Sequence, residues 1–339
     1  MTLTVAIAGC GYFSQFHQDA WSRMEGVTVV GVADRDPARR SAAASLFPKA
    51  EAFTEIEAML DAVKPDLIDI VTPPQTHLDL VRLASTRGIR MICQKPLAPT
   101  HPEAVELVEI AERAGTMLAV HENFRFMPWF LETNRLIQQG AVGTPLNISF
   151  RLRPGDGQGP DAYLSRQPYF QKMPRFLIHE TGIHLIDVFR FLLGEITGVF
   201  ARLRRINPVI AGEDAGYVIF DFASGAAGLF DGNRHVDHPA NDTRMTNGVL
   251  LLEGTEGVIR LDGFGKLFVR PRQGEEREHT YVWHDRGYGG DCVYGQTRHI
   301  VEHILGGVPL MNSGRDYLRN LDIQEAVYRS AAEGRYLTV

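Results

Sequence analysis

Cysteine is scarce in this chain. Its 339 residues hold only Cys10, Cys93 and Cys292, widely spaced and with no CxxC pair. That argues against a disulfide framework and a structural zinc site. It fits a reducing, cytoplasmic compartment. Long apolar runs are missing too. The N-terminus, MTLTVAIAGCGYF, carries no basic n-region, so neither a signal peptide nor a membrane span is expected. Positive charge is not in excess. The formal net charge is -6, so nucleic acid is not an expected partner. Internal repeats and low-complexity tracts are absent. What remains is ordinary for a globular chain with room for two cores, at 44% hydrophobic and 22% charged residues.

The first third alternates between two textures. LTVAIA (3–8), VTVVGVAD (27–34), LIDIVT (67–72), RMICQ (90–94) and TMLAVH (116–121) are short apolar runs rich in β-branched residues. Helical patterns lie between them, as in 76–86 and 102–114. Strand–helix alternation of this kind predicts a doubly wound parallel sheet, an α/β fold. Beyond residue 122 the pattern changes. An amphipathic helix is expected over 130–140, an alternating strand over 145–153, a Gly/Pro/Asp-rich loop over 154–175 and one long helix over 175–194. Strand-like runs then follow at 198–206, 215–223, 225–232, 247–254, 257–263 and 265–271, several joined by short turns. They predict a large, mostly antiparallel open sheet. Helix returns over about 295–306 and 314–333. The expected division is a Rossmann domain over 1–122 and a substrate-binding and oligomerisation α/β domain over 123–339.

The first turn carries the clearest chemistry. Gly9-Cys10-Gly11-Tyr12-Phe13-Ser14 follows a strand and opens a helix. Gly9 permits the tight turn, and Gly11 lets the backbone approach a pyrophosphate. The helix N-terminus then offers free N–H groups to that anion. Ser14 stands where a third glycine or alanine is usual, and it is still small. Asp34 ends the next strand 20 residues past Ser14. There a carboxylate accepts hydrogen bonds from ribose hydroxyls and repels a 2′-phosphate, which favours NAD over NADP. Arg35 can meet a phosphate, so NADP stays open. Its plainer reading is a solvated loop cation.

Later strand ends add VTPPQTH (71–77), CQKPLA (93–98) and HENFRFMP (121–128), and IHETGIHLID (178–187) lies in the long helical pattern. With the N-terminal turn, these motifs resemble the Gfo/Idh/MocA family, the glucose–fructose oxidoreductase and inositol dehydrogenase group. The resemblance runs through essentially the whole chain, to SGRDYLRNLDIQEAVYRSAAEG near its end. It implies that Lys95, in Gln94-Lys95-Pro96, lies beside the nicotinamide. Glutamine here replaces the glutamate of the family's E-K-P. It also implies that Glu180 and His184 match an Asp-x-x-x-His pair, with Glu in place of Asp. On a regular helix, i,i+4 residues lie about 40° apart on one face. Thr72, Pro73, His77 and Asn123 are implied at the cofactor, with Asn123 the expected sugar ligand. His77 is equally read as a cap of its helix.

Alcohol oxidation needs a base for the hydroxyl proton and a hydride acceptor. Histidine suits the first task near neutral pH. A lysine aimed at the reacting oxygen stabilises its developing charge. The expected roles are therefore His184 as base, Lys95 as electrostatic partner, and Glu180 as orienter or substrate ligand. The expected reaction joins NAD(P) to a carbohydrate or polyol hydroxyl, first at aldose C1 and second in a cyclic polyol. No metal is expected. His179-Glu180 starts like a zinc-protease helix, but the next histidine is at i+5, about 140° away. A homodimer or homotetramer is implied by resemblance. So are two alternatives: a hydrolase or isomerase that retains NAD, and a dinucleotide-sensing regulator. Arg125 is read equally as a site residue and as a structural ion-pair partner. DGNRHVDHPANDTR (231–244) is expected to be chiefly solvent-exposed loop.

Overall fold

A computed structural model describes residues 2–339. The chain divides into two compact units. One holds residues up to Asn123 together with Val293–Arg319, and the other holds Phe124–Cys292 with Asn320–Val339.

The first unit is built from β1 (Leu3–Ala8), α1 (Ser14–Ser22), β2 (Val27–Ala33), α2 (Pro37–Ser45), β3 (Glu51–Phe53), α3 (Ile56–Val63), β4 (Leu67–Ile70), α4 (His77–Ser85), β5 (Arg90–Gln94), α5 (His101–Arg113) and β6 (Leu118–His121). Its six strands are parallel, in the order β3-β2-β1-β4-β5-β6. Val5, Ala6, Ile7 and Ala8 are wholly buried, as a central strand covered by helices on both faces requires. Local signals start α2 and α5. Asp36 accepts from the N–H groups of Ala38 and Arg39 with Pro37 at the first turn, and Thr100 caps α5. Strand order reverses between β1 and β4, the place where such sheets take ligands at their carboxyl ends.

Residues 293–319 complete this unit, so a single boundary near residue 122 leaves them out. Ile300 and Val301 join the core of Leu3, Val5, Ile7, Trp21 and Ile92. Gln296 Nε2 donates to the Val120 carbonyl at 2.7 Å, and Asn312 Nδ2 to that of Glu122 at 2.7 Å. The Arg23 guanidinium lies 4.3 Å above the Tyr294 ring.

The second unit contains α6 (Pro128–Gln138), β7 (Pro145–Leu152), α7 (Ile183–Leu193), β8 (Ile196–Arg204), β9 (Ala215–Phe222), β10 (Ala227–Asn233), the short α8 (Thr243–Thr246), β11 (Gly248–Gly254), β12 (Gly257–Leu261), β13 (Leu267–Pro271) and β14 (Arg277–His279). After α9 (Cys292–Gly306) and α10 (Gly314–Glu333), β15 (Leu337–Thr338) adds the last strand. The sheet order is β14-β13-β12-β11-β7-β10-β9-β8-β15. Every pairing is antiparallel except β10 with β7. One face packs on α6 and α7. Phe130 meets Phe150 at 6.3 Å between ring centroids, and Phe189 meets Phe220 edge-on at 5.8 Å.

The large, mostly antiparallel sheet agrees with the sequence pattern. Strands β3, β14 and β15 have three residues or fewer, too few to show a period. Two expectations need correction, the regular helix over 175–194 and the exposure of 231–244. The helix is not regular, because Leu177–Gly182 form a π-helical turn ahead of α7. The loop expected over 154–175 is a loop, and it is packed. Ala162, Tyr163 and Phe170 pack with Phe176 and Ile210 into a small core of their own. The segment 231–244 is not chiefly exposed: Arg234 is 4% exposed and His238 is 7%.

Candidate functional site

The turn after β1 is shaped by Gly9. Its φ is +94°, and a Cβ there would lie 2.8 Å from the Val71 carbonyl oxygen. Both facts restrict the position to glycine. At Gly11 a Cβ would meet nothing within 4 Å, which leaves the space before the turn open to a ligand. Ser14, the first residue of α1, is wholly buried, and its Oγ accepts from Gln18 Nε2 at 2.9 Å. A larger side chain would press into that packing. Tyr12 is exposed, while the half-buried Phe13 lies edge-on to His17.

Asp34 has a task beyond the one expected of it. Its Oδ2 accepts from the Cys10 backbone N–H at 2.6 Å, and its Oδ1 from that of Asp36 at 2.8 Å. The carboxylate thus ties the glycine turn to the end of β2. A carboxylate has about four acceptor sites, so capacity remains for ribose hydroxyls. Burial, aided by the Asp34 charge, pushes the Cys10 thiol up to about 12, so it is no nucleophile at neutral pH. Arg35 is exposed. Arg40, which the motif does not flag, donates to the Asp34 carbonyl at 2.6 Å. The glycine cradle, the open approach and the acidic strand end together fit a dinucleotide.

The other strand ends in this unit are tied to one another. The wholly buried His77 places its ring nitrogens 2.8 Å from the Thr72 carbonyl and 3.1 Å from the Leu97 carbonyl. Burial holds its pKa below the usual imidazole value. The ring therefore sits between the loop after β4, with Thr72 and Pro73, and the loop after β5, and in its neutral form donates to one of the two carbonyls at a time. Gln94 ends β5, and its Oε1 accepts from the Lys95 backbone N–H at 2.7 Å. Lys95 is half-buried, and Asn123, just past β6, is buried.

In the second unit the π-helical turn has an identifiable anchor. Glu213 Oε1 accepts from the N–H groups of Phe176 and Ile178, both at 3.1 Å, and from the Tyr328 hydroxyl at 2.7 Å. That hydroxyl in turn accepts from the His179 N–H at 3.1 Å. Side chains thus satisfy donors that a helix start leaves unpaired. The wide turn also changes the phase between Glu180 and His184, so the 40° separation of a regular helix does not carry over. π-bulges of this kind are frequent at functional sites.

Two supports stand behind this pair. The His184 ring lies flat on Phe124, with centroids 4.0 Å apart and planes 6° apart. Thr181 Oγ1 donates to Glu180 Oε2 at 2.7 Å, and Arg234 Nη1 donates to that hydroxyl oxygen at 2.8 Å. Arg234 also grips Asp156 through Nε at 3.1 Å and Nη2 at 2.9 Å. Its guanidinium is 4.7 Å from the Phe176 ring centroid and 5.2 Å from that of Tyr163. One buried arginine therefore fixes the 154–175 loop and sets a positive charge 3.8 Å from Glu180. The motifs do not reveal it. An arginine among the polar residues 231–244 reads as a solvated charge.

Arg125 resolves to the structural reading. It forms a bidentate pair with Asp187, at 2.7 and 2.5 Å, with both side chains buried. Asn320 Nδ2 donates to Asp187 Oδ1 at 2.7 Å, and Arg190 Nη1 donates to Asn320 Oδ1 at 2.7 Å. This network braces α7, which carries His184.

The glycine turn on a parallel sheet and its acidic strand end define an NAD-binding oxidoreductase of Rossmann type. Residues 3–122 match the model described as the oxidoreductase family with an NAD-binding Rossmann fold, and residues 130–260 match the GFO/IDH/MocA C-terminal domain. The chain belongs to the GFO/IDH/MocA oxidoreductase family. It is 34% identical to a D-apiose dehydrogenase of Paraburkholderia graminis, over 97% of this chain and 88% of that protein. A second D-apiose dehydrogenase, from Rhizobium rhizogenes, is 31% identical over 98% of this chain and 96% of its own length. An oxidoreductase from Agrobacterium radiobacter, solved in complex with NAD+, L-tartaric acid and magnesium, is 30% identical. It superposes with a TM-score of 0.90 over 100% of this chain and 98% of its own. Family, α/β fold, enzyme class and NAD cofactor therefore stand as the motifs indicated.

Proposed function

We propose that this enzyme oxidises a carbohydrate, first an aldose at its hemiacetal C1 and second a cyclic polyol at a ring hydroxyl. His184 takes the hydroxyl proton. Lys95 stabilises the negative charge that develops on the same oxygen. Glu180 accepts hydrogen bonds from the sugar and orients it. When bound, NAD supplies the hydride acceptor. The observation that carries this reading is the buried support built around Glu180 and His184. A plain surface carboxylate needs no Arg234–Thr181 brace, and a core histidine needs no flat aromatic bed beside one. The dehydrogenase relatives, which act on D-apiose by name, support the substrate class. The test is NADH formation with NAD and then NADP over a panel of aldoses, branched pentoses, polyols and inositols. Sugar-dependent absorbance with NAD is expected. Silence across the panel, with NAD bound to the protein, would defeat the reading.

The open face of the second sheet supports a homo-oligomer. Phe200, Ile219, Leu229, Ser149 and Leu251 stand opposite one another in register across five adjacent strands. Tyr217, Ile219 and Leu229 are 47%, 46% and 37% exposed. We infer that a second copy of this chain covers this stripe. Light scattering is expected to give a multiple of the 37.8 kDa chain mass, and Ile219→Asp should return it to one. A wild-type protein that is already monomeric sinks the idea.

The compartment is inferred to be cytoplasmic. In support, Cys10, Cys93 and Cys292 are all buried and unbridged. Among the described residues, no helix is long and apolar enough to cross a membrane.

A further inference from the structure

Behind Lys95 runs a chain of buried polar groups that no motif accounts for. A backbone N–H can only donate, so the contact from the Lys95 N–H fixes Oε1 of Gln94 as the acceptor. The amide nitrogen of Gln94 must then face the other way. It lies 3.1 Å from His17 Nε2. An amide nitrogen donates, so that ring nitrogen accepts and carries no proton. The imidazole proton is then on Nδ1, which lies 2.9 Å from Asp69 Oδ2. Trp21 Nε1–H donates to the same oxygen at 2.7 Å. His17 and Asp69 are wholly buried and Gln94 is 8% exposed. The His17 ring is also packed on His121, 4.0 Å between centroids, with Phe13 edge-on at 5.7 Å.

We propose that Asp69, His17 and Gln94 are positioning residues for Lys95, and that glutamine stands at 94 because His17 presents it with an unprotonated ring nitrogen. The proposal rests on the reading of Lys95 as the group that faces the substrate. Each member has one direction of donation, from Lys95 N–H back to the carboxylate. A neutral imidazole satisfies both of its neighbours. A glutamate at 94 would offer His17 only an acceptor. With Asp69 on the opposite side, both ring nitrogens would then need protons, and the chain would hold only around an imidazolium. The other titratable groups facing this cluster are His121 on β6 and Cys93 on β5. Burial, with the Asp69 charge, holds the Cys93 thiol far above its usual value.

The first experiment reads the tautomer. Long-range 1H–15N spectra of the NAD-bound wild-type enzyme, with His17→Gln to assign the resonance, are expected to show neutral His17 protonated on Nδ1. An Nε2-protonated ring or an imidazolium overturns the proposal. This readout involves no substrate, so its failure is distinct from failure of the proposed sugar oxidation. The second experiment follows kcat against pH for Gln94→Glu. In the variant two carboxylates face the ring, so the chain requires an imidazolium. It is intact at low pH and is lost where the ring gives up that proton as pH rises. Relative to wild type, kcat is expected to fall about tenfold or more between about pH 6 and pH 9, with little change in KM for NAD. Adding His17→Gln to this variant supplies a donor that does not titrate, and should restore the wild-type profile shape. A Gln94→Glu profile parallel to wild type overturns the proposal. If that variant does not fold, the tautomer still decides.

Discussion

His184→Ala is expected to lower kcat for sugar oxidation by ~10²–10⁴, the usual worth of a positioned acid–base group. Lys95→Ala should cost ~10²–10³, as removal of one electrostatic donor to a developing oxyanion does. If both groups act on one oxygen, as proposed, the two losses should not add. The double variant is expected to fall close to the worse single. NAD affinity, read by fluorescence, should hold in His184→Ala, since that residue belongs to the second unit while the glycine turn belongs to the first. The flat stacking of His184 on Phe124 separates chemistry from packing. His184→Phe keeps an aromatic ring on that bed and removes the base. It should match the alanine variant in kcat while keeping near wild-type thermal stability. A loss of less than about tenfold in both variants would remove His184 from the role of base.

The largest structural effect is expected at Asp187. Its carboxylate is buried, and Arg125 binds it bidentately while Asn320 donates to one of the same oxygens. In Asp187→Ala the guanidinium keeps its charge and loses that partner. Breaking a buried pair from one side costs about 3–5 kcal/mol. At roughly 2–4 °C per kcal/mol for a unit of this size, the melting temperature should fall by about 6–20 °C. Replacing both partners by leucine should cost less than the single change, because no uncompensated charge is left behind. Calorimetry of the two single variants and the double variant reads this directly. Equal losses in all three would mean that packing, and not charge burial, holds Arg125 and Asp187 together.

The parallel sheet was plain in the sequence because β1, β4, β5 and β6 are buried along nearly their whole length, on both faces. Runs such as LTVAIA then advertise themselves by apolar density alone. The glycine turn was legible for a similar reason: backbone geometry at Gly9 admits no other residue, so the chemistry is written as composition. The supports of the site were not legible. Arg234 looks like a loop charge until Asp156 and three aromatic rings are gathered around it from distant positions. The π-helical turn was hidden because its cause, Glu213, lies far along the chain from Phe176. His17 sits on an amphipathic helix beside the glycine motif, and only its partners on β4 and β5 show that it is not ordinary core. Residue type was visible throughout, but partnership across long sequence separation was not.

The return of residues 293–319 to the first unit has a consequence for synthesis on the ribosome. The N-terminal sheet can form its helix-flanked strands early, but Ile300, Val301, Gln296 and Asn312 are still untranslated when β6 emerges. At ~5–20 residues per second, their arrival lags by roughly 10–40 s. During that interval the nascent Rossmann unit exposes the apolar surface around Trp21 and Ile92 and leaves the β6 backbone short of its last partners. A fragment that stops near residue 122 keeps that surface uncovered, and is expected to aggregate where the full chain stays dispersed, which light scattering of the two checks.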